Sequence, residues 1–181
     1  MDSARVLLKE EIKISPWVCL VRKEVLFDSG HKETYHSLKQ RGYVAILALT
    51  PDNKIPVIRQ FRPALETYTW ELPAGILEEG EQPEQACQRE LLEETGLKTE
   101  KMIYLGHYDA DTGRLENEVH SFLVQASQTD PSFIPEPGLQ VQFLTLPELR
   151  EWIVSGKFRH QHHIALLTLA ALKTGDNTLW A

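Results

Sequence analysis

Short runs with β-type patterning fill the first half of the chain and predict strands at 5–14, 17–27, 34–39, 43–49 and 57–60. Pro51-Asp52-Asn53 lies between the last two and has turn chemistry, which predicts that they form a hairpin. Pro56 cannot donate to a ladder and is a natural start for the second of them. The pattern then changes. Pro83 suits the first turn of a helix, where its missing N–H costs nothing, and Gly96 suits the position just past a helix end, so a helix is predicted over 83–95. Strands at 102–108, 119–124 and 141–146 follow, with helices at 147–155 and 161–173. Strands interleaved with two or three helices predict an α/β (α+β) sandwich.

At about 100° per residue, Glu90, Glu93 and Glu94 of the predicted helix share one arc of roughly 100°. Leu91 and Leu92 fall outside that arc, with Cys87 at its edge, and can turn inward. Gathered carboxylates repel by about 3 kcal/mol per pair at 5 Å with an effective dielectric near 20. A hard divalent cation offsets that cost. Oxygen-only ligation suits Mg2+ or Mn2+, whereas zinc favours His or Cys. Arg89 can hold a neighbouring carboxylate through its planar fork. Read alone, E-x-x-E-E is more often an ordinary solvated helix face.

Composition narrows the class. At 181 residues and 42% hydrophobic, the chain suits one domain with a sizeable core and a short appended element. A formal charge of −7 argues against a general nucleic-acid binder, whose affinity comes from basic surface. Cys19 and Cys87 are the only cysteines, and Cys87 falls inside the predicted helix, so neither a disulfide framework nor a thiolate metal site is indicated. The N-terminal residues scatter charges among apolar ones, without the apolar core of a signal peptide, and no apolar run approaches membrane-spanning length. A cytoplasmic protein without a membrane partner is expected.

Residues 75–97 read GILEEGEQPEQACQRELLEETGL and match G-x5-E-x7-R-E-U-x-E-E-x-G-U, with U a bulky aliphatic, at Gly75, Glu81, Arg89, Glu90, Leu91, Glu93, Glu94, Gly96 and Leu97. On this motif the chain resembles the Nudix hydrolases. The resemblance covers about 42–172 and implies a mixed sheet between helices, with the motif forming loop, helix and loop. It divides the chain into an N-terminal antiparallel β segment, 1–40, and a Nudix domain, 41–181. In the ADP-ribose pyrophosphatase branch a comparable N-terminal sheet packs or swaps across a dimer, so a homodimer is expected. The resemblance also makes Glu81 a support for Arg89.

Arg59-Gln60-Phe61-Arg62-Pro63 and Trp70-Glu71-Leu72-Pro73-Ala74-Gly75 are similar to the Q-[YF]-R and E-x-P-A-G stretches of ADP-ribose and nucleoside diphosphate sugar pyrophosphatases. Arg62 can present a fork to phosphate oxygens, and Glu71 can accept from a sugar hydroxyl or amine. The Ala74 carbonyl adds a hard oxygen to a metal held by Glu90, Glu93 and Glu94. Trp17 or Trp70 can stack on a nucleobase, although either serves equally as a core or interface residue. Members selective for ADP-ribose usually carry a proline sixteen residues beyond the motif. Counting from Leu97 reaches Gly113, so a broader nucleoside diphosphate sugar specificity is expected.

The same branch takes its catalytic base from a loop outside the motif. Aligning 111–122 on Gly113 and His120 puts Asn117, which cannot act as a base, where a glutamate is often found. Glu118, at the junction of loop and strand, is the first candidate, before Glu116, Glu136 and Glu93. Arg114 can meet a phosphate, or be an ordinary loop charge. His160, His162 and His163 form H-x-H-H without an i, i+4 pair, and are expected to be a surface or helix-start feature. His120 is expected to be a framework residue.

The expected activity is Mg2+-dependent, with Mn2+ as a substitute. It cleaves nucleoside diphosphate sugars, ADP-ribose and GDP-mannose types included, to a nucleoside monophosphate and a sugar phosphate. The alternatives are hydrolysis of dinucleoside polyphosphates or capped RNA, or a module that senses a nucleotide without cleaving it.

Overall fold

The computed structural model describes residues 3–176. They form two compact units: 3–42 with Asp109–Glu118, and Tyr43–Tyr108 with 119–176.

The first unit is an antiparallel sheet of β1 (Ala4–Lys13), β2 (Cys19–Phe27) and β3 (Lys32–Lys39), with β2 in the centre. Segment Asp109–Glu118 is tied to β3: the Leu38 amide donates to the Arg114 carbonyl (2.7 Å) and the Glu116 amide to the Leu38 carbonyl (2.8 Å). Every residue of β1 is exposed, including Val6, Leu7, Leu8 and Ile12.

The second unit holds β4 (Tyr43–Leu49), β5 (Ile55–Arg62), β6 (Thr67–Glu71), β7 (Ala74–Ile76), β8 (Thr99–Asp109), β9 (Glu118–Ala126) and β10 (Gln140–Leu144), with helices α1 (Pro83–Thr95), α2 (Leu146–Val154) and α3 (Gln161–Thr174). Its sheets are a mixed one, β7-β4-β9-β8, in which β4 is parallel to β9 and antiparallel to β7, and an antiparallel one, β10-β5-β6. Both α1 and α3 contact β4. That double cover explains why Val44 through Ala48 are all buried with no polar alternation. Val44, Ile46 and Ala48 pack with Ala86, Cys87 and Leu91 of α1 and with Phe122 and Val124 of β9.

Helix α1 has the predicted bounds. Pro83 occupies its first turn, Gln82 and Gln85 form a capping box, and Gly96 closes it in the left-handed region at φ 71°. The Gly96 amide donates back to the Leu92 carbonyl (2.9 Å), and the ring of Phe133 fills the space a side chain would need.

Two expectations are corrected. The turn at Pro51–Asn53 exists, with the Asn53 amide donating to the Thr50 carbonyl (2.8 Å), but β4 and β5 do not pair. Both edges of β4 are occupied, by β7 and β9, so the turn passes the chain from one sheet to the other. Leu92 does not turn inward: it is 44% exposed, because the buried stripe runs through Cys87, Leu91 and Thr95 at intervals of four, and Leu92 lies about 100° away from it.

Candidate active site

Arg89 ties helix α1 to the loop before it. Its Nε and Nη2 donate to the two oxygens of Glu81 (both 2.9 Å), its Nη1 to Glu90 (2.6 Å) and Glu93 (3.2 Å), and Nη2 also reaches the Ile76 carbonyl (3.2 Å). One planar cation therefore collects three carboxylates and fixes the loop that leads into the helix. Glu81 also accepts from the Glu78 amide (2.9 Å), so its geometry is set from both sides.

Strand β7 brings its backbone against α1. The Glu90 carboxylate occupies the space where a side chain on Gly75 would begin. The Ala74 amide donates to Glu94 Oε2 (3.0 Å). Burial pushes the Glu94 carboxyl up to about 8 against the pull of that amide, and the charge of Glu90 adds to the rise. Burial also raises Glu90, opposed by Arg89. The Glu93 side chain is half-exposed. Carboxylates kept in a partly dry setting, with oxygen donors and no thiolate among them, fit a hard cation such as Mg2+ or Mn2+.

A second charged cluster lies on β5, β6 and α3. Arg62 grips Glu71 bidentately, Nε to Oε1 (2.8 Å) and Nη2 to Oε2 (2.6 Å), and the Thr69 hydroxyl adds a third bond (2.5 Å). Burial works to raise the Glu71 carboxyl, but these donors hold it below the usual carboxylate range. Arg62 and Glu71 both act on the Glu94 carboxyl, the first lowering it and the second raising it, so the two clusters share one electrostatic environment. His163 is 1% exposed and its Nδ1 accepts from the Leu72 amide (3.0 Å), while the ring of His160 stacks on it with centroids 3.7 Å apart. Tyr43 reaches His162 Nδ1 (3.4 Å), and burial, then Glu71, pushes its hydroxyl up to about 12.

Ligand-type atoms of Glu71, His160 and His163 lie within 4.8 Å of one another. They make a poor metal site. Arg62 neutralises Glu71 through both oxygens, and an Nδ1 that accepts a backbone N–H leaves the proton of a neutral ring on Nε2. The trio is a packed cluster rather than a hydrogen-bonded one: His160 stacks on His163, and His160 Nδ1 and His163 Nε2 are buried without a hydrogen-bond partner.

Comparison with known proteins decides the family. The NUDIX domain profile matches residues 39–167. The chain belongs to the Nudix family. Among its relatives, an ADP-ribose pyrophosphatase of Bacillus subtilis (strain 168) is 36% identical over 121 residues, which cover 67% of this chain and 65% of that protein. An ADP-sugar pyrophosphatase of Mus musculus is 33% identical over 147 residues, 74% of this chain and 67% of that one. The chain thus spans just under two thirds of the Bacillus relative. A crystal structure of an ADP compounds hydrolase superposes with a TM-score of 0.77 over 96% of both chains at 18% identity, which supports the fold.

Of the residues singled out in this Nudix sequence, Arg89, Glu90, Glu93, Glu94 and Ala74 come together at α1 and β7, and Arg62 with Glu71 forms the adjoining cluster. The others have contacts of their own. Trp70 packs on Trp152 with ring centroids 5.0 Å apart, and Lys157 sits 3.3 Å over the Trp152 ring. Trp17, in the first unit, is 61% exposed with the Arg41 guanidinium 5.9 Å from its ring. Arg114 is exposed in Asp109–Glu118. Glu118 is exposed as the first residue of β9, and Glu136 is exposed in the connection after β9. Glu116 is bound by Lys23 (2.5 Å), the Ser37 hydroxyl (2.5 Å) and Lys9 (3.4 Å), and Lys23 and Ser37 bring its carboxyl down to about 2. His120 has framework contacts, with Nδ1 3.0 Å from the Tyr104 hydroxyl.

The H-x-H-H segment needs correction. His160 is the N-cap residue of α3, as a helix-start feature should be, but His163 is buried and bonded to Leu72 rather than placed at the surface. Its partner is 91 positions away in sequence, so no local pattern announces it. Thr69 was also missed. The period of two in β6, which puts Thr69 and Glu71 on one face, is the signal that could have found it.

Proposed function

We propose that this protein is a Mg2+-dependent pyrophosphohydrolase of nucleoside diphosphate sugars, ADP-ribose among them, releasing a nucleoside monophosphate and a sugar phosphate. The carrying observation is the set of Glu90 and Glu94 carboxylates drawn against the Ala74–Gly75 backbone beside the Arg62–Glu71 cluster. The names of the Bacillus and mouse relatives support the substrate class.

In this reading Glu90, Glu93, Glu94 and the Ala74 carbonyl hold the cation, with Mn2+ able to substitute. When bound, it supplies neutralisation of the pyrophosphate charge and acidification of water. Arg89 keeps the carboxylates apart and oriented. Arg62, fixed by Glu71, presents its remaining Nη1 edge to a phosphate oxygen, and Arg114 meets the distal phosphate. Trp17 stacks on the base, since Trp70 is committed to Trp152. Glu118 accepts the proton of the attacking water. The engagement of Glu116 by Lys23 and Ser37, which leaves it a very weak base, supports this choice.

A homodimer formed through the N-terminal sheet fits the exposed apolar residues Val6, Leu7, Leu8 and Ile12 of β1. Two free cysteines agree with a reducing, cytoplasmic setting. No helix among the described residues is long and apolar enough to cross a membrane. Phosphate release from a panel of nucleotide sugars, ADP-ribose, diadenosine polyphosphates and capped RNA, with and without Mg2+, tests the reading. Metal-dependent turnover of the sugars is expected to exceed that of the others. Preference for the diadenosine compounds or capped RNA, or no turnover at all, would overturn it.

A further inference from the structure

The short loop that joins β6 to β7 is held at three successive residues. The Leu72 amide donates to His163 Nδ1 (3.0 Å), the Pro73 carbonyl accepts from the Ile46 amide (2.9 Å), and the Ala74 amide donates to Glu94 (3.0 Å). Two of the anchors belong to parts with other reasons to be there: Ile46 is a core residue of β4, and Glu94 is a carboxylate of the proposed metal site. His163 has no such reason. It is a histidine on the first turn of α3, whose other buried residues are Leu166, Leu167, Ala170 and Ala171.

Leu72 is 1% exposed, and Pro73 has no N–H, so the Leu72 amide is the last backbone donor before Ala74. It is shielded from bulk solvent, and leaving it unpaired would favour a shift of the whole loop. An acceptor at that spot must be neutral and must keep a lone pair. Burial, and after it the electrostatic influence of His160, Arg62 and His162, holds the His163 pKa well below 6.5, which keeps the ring neutral. Stacking on His160, which lies 3.9 Å from Glu71, fixes the plane of the ring.

We propose that His163 is a positioning residue for the metal site: by accepting the Leu72 amide it sets the position of Ala74 and of the Glu94 carboxylate that Ala74 grips. It touches neither cation nor substrate and acts through two backbone groups. The proposal rests on the reading of Glu90, Glu94 and Ala74 as the metal-holding set.

The test is Mn2+ binding, followed by the electron paramagnetic resonance signal of free Mn2+ without substrate, in wild type, His163→Asn, His163→Gln and His163→Leu. Melting temperatures are recorded alongside. Asn carries its amide on Cγ, as His carries Nδ1, and returns an acceptor to Leu72. Gln carries it one atom further out, where Nε2 lies, and Leu carries none. Asn is expected to bind Mn2+ within about threefold of wild type, and Gln and Leu at least about tenfold more weakly, the range for loss of a group that orients ligands. Equal affinity in Asn and Gln overturns the proposal even if Leu does not fold, and so does wild-type affinity in Leu. Affinities that follow melting temperature rather than the presence of the acceptor also overturn it. Absence of Mn2+ binding in wild type brings down the metal-site reading and the proposal with it, whereas binding by all four proteins alike removes the role of His163 alone.

Discussion

A Cβ on Gly75 would lie 1.9 Å from the carboxylate of Glu90. The obstructing group is the end of a flexible side chain, so the fold can relieve the clash by turning Glu90 away. Gly75→Ala should therefore keep a melting temperature close to wild type while losing at least about 100-fold in kcat, because a ligand is displaced from a site whose effect is felt in the transition state. Thermal unfolding and steady-state kinetics on one preparation check this. Full activity in Gly75→Ala would show that the Glu90 position seen here is not the working one.

The choice of base is tested by single-turnover rates of Glu118→Gln, Glu116→Gln and Glu136→Gln. Glu118→Gln should slow the chemical step by roughly 10² to 10⁴ with little change in substrate affinity. Glu116→Gln should act mainly on stability, since that carboxylate is held by Lys23 and Ser37. A large kinetic effect in Glu116 or Glu136 beside a small one in Glu118 would move the assignment, and small effects in all three would move it to Glu93.

Helix α1 was legible because its signals are local: Pro83 in the first turn, Gly96 past the end, and carboxylates at helical spacing. Most strands were legible for the same reason, with ends displaced by a few residues. Partner choice was not. The turn at Pro51–Asn53 has the chemistry of a hairpin, but whether β5 joins β4 depends on which strands already flank β4, and those are β7 and β9. Strand β7 itself has only three residues, too few to show a period. At the site, Arg89 and its carboxylates could be read from the spacing of the motif. Arg62 and Glu71 were read as facing a substrate, and that they grip each other follows from the antiparallel pairing of β5 with β6. The role of His163 was invisible, because what it bonds is a backbone amide on another element.

The pH dependence of stability should carry the mark of His163. Its folded pKa is depressed well below 6.5, so the unfolded chain takes up a proton that the folded one refuses. The stability it contributes is complete above about pH 6.5 and is lost as the pH falls below that, by at most about 1.4 kcal/mol per pH unit. Glu94, raised to about 8, works the other way: between its unfolded value and 8 the folded protein retains a proton, so acidification favours folding. The difference between wild type and His163→Asn in EDTA removes the Glu94 contribution common to both. Urea midpoints at pH 7.5, 6.5 and 5.5 should show wild type losing ground to the variant on the acid side. Parallel curves would contradict a neutral buried His163.

Dimerisation through the N-terminal sheet predicts that Ile12→Asp, on the exposed strand β1, lowers the mass found by light scattering at micromolar concentration towards that of one chain of 20.7 kDa. A wild-type protein that already runs as a monomer, or a variant that stays dimeric, would place any interface elsewhere.

In the proposed function the carboxylate face of α1, loaded with Mg2+, carries the cleavage of a pyrophosphate. The 31P spectrum of ADP-ribose incubated with wild type and with Glu94→Gln, in Mg2+ and in EDTA, tests it most directly. With wild type and Mg2+ the pyrophosphate resonances should give way to those of two phosphate monoesters, AMP and ribose 5-phosphate. The rate should fall at least about 100-fold in a folded Glu94→Gln, and EDTA should abolish the reaction. Conversion at an undiminished rate in Glu94→Gln or in EDTA would contradict that function.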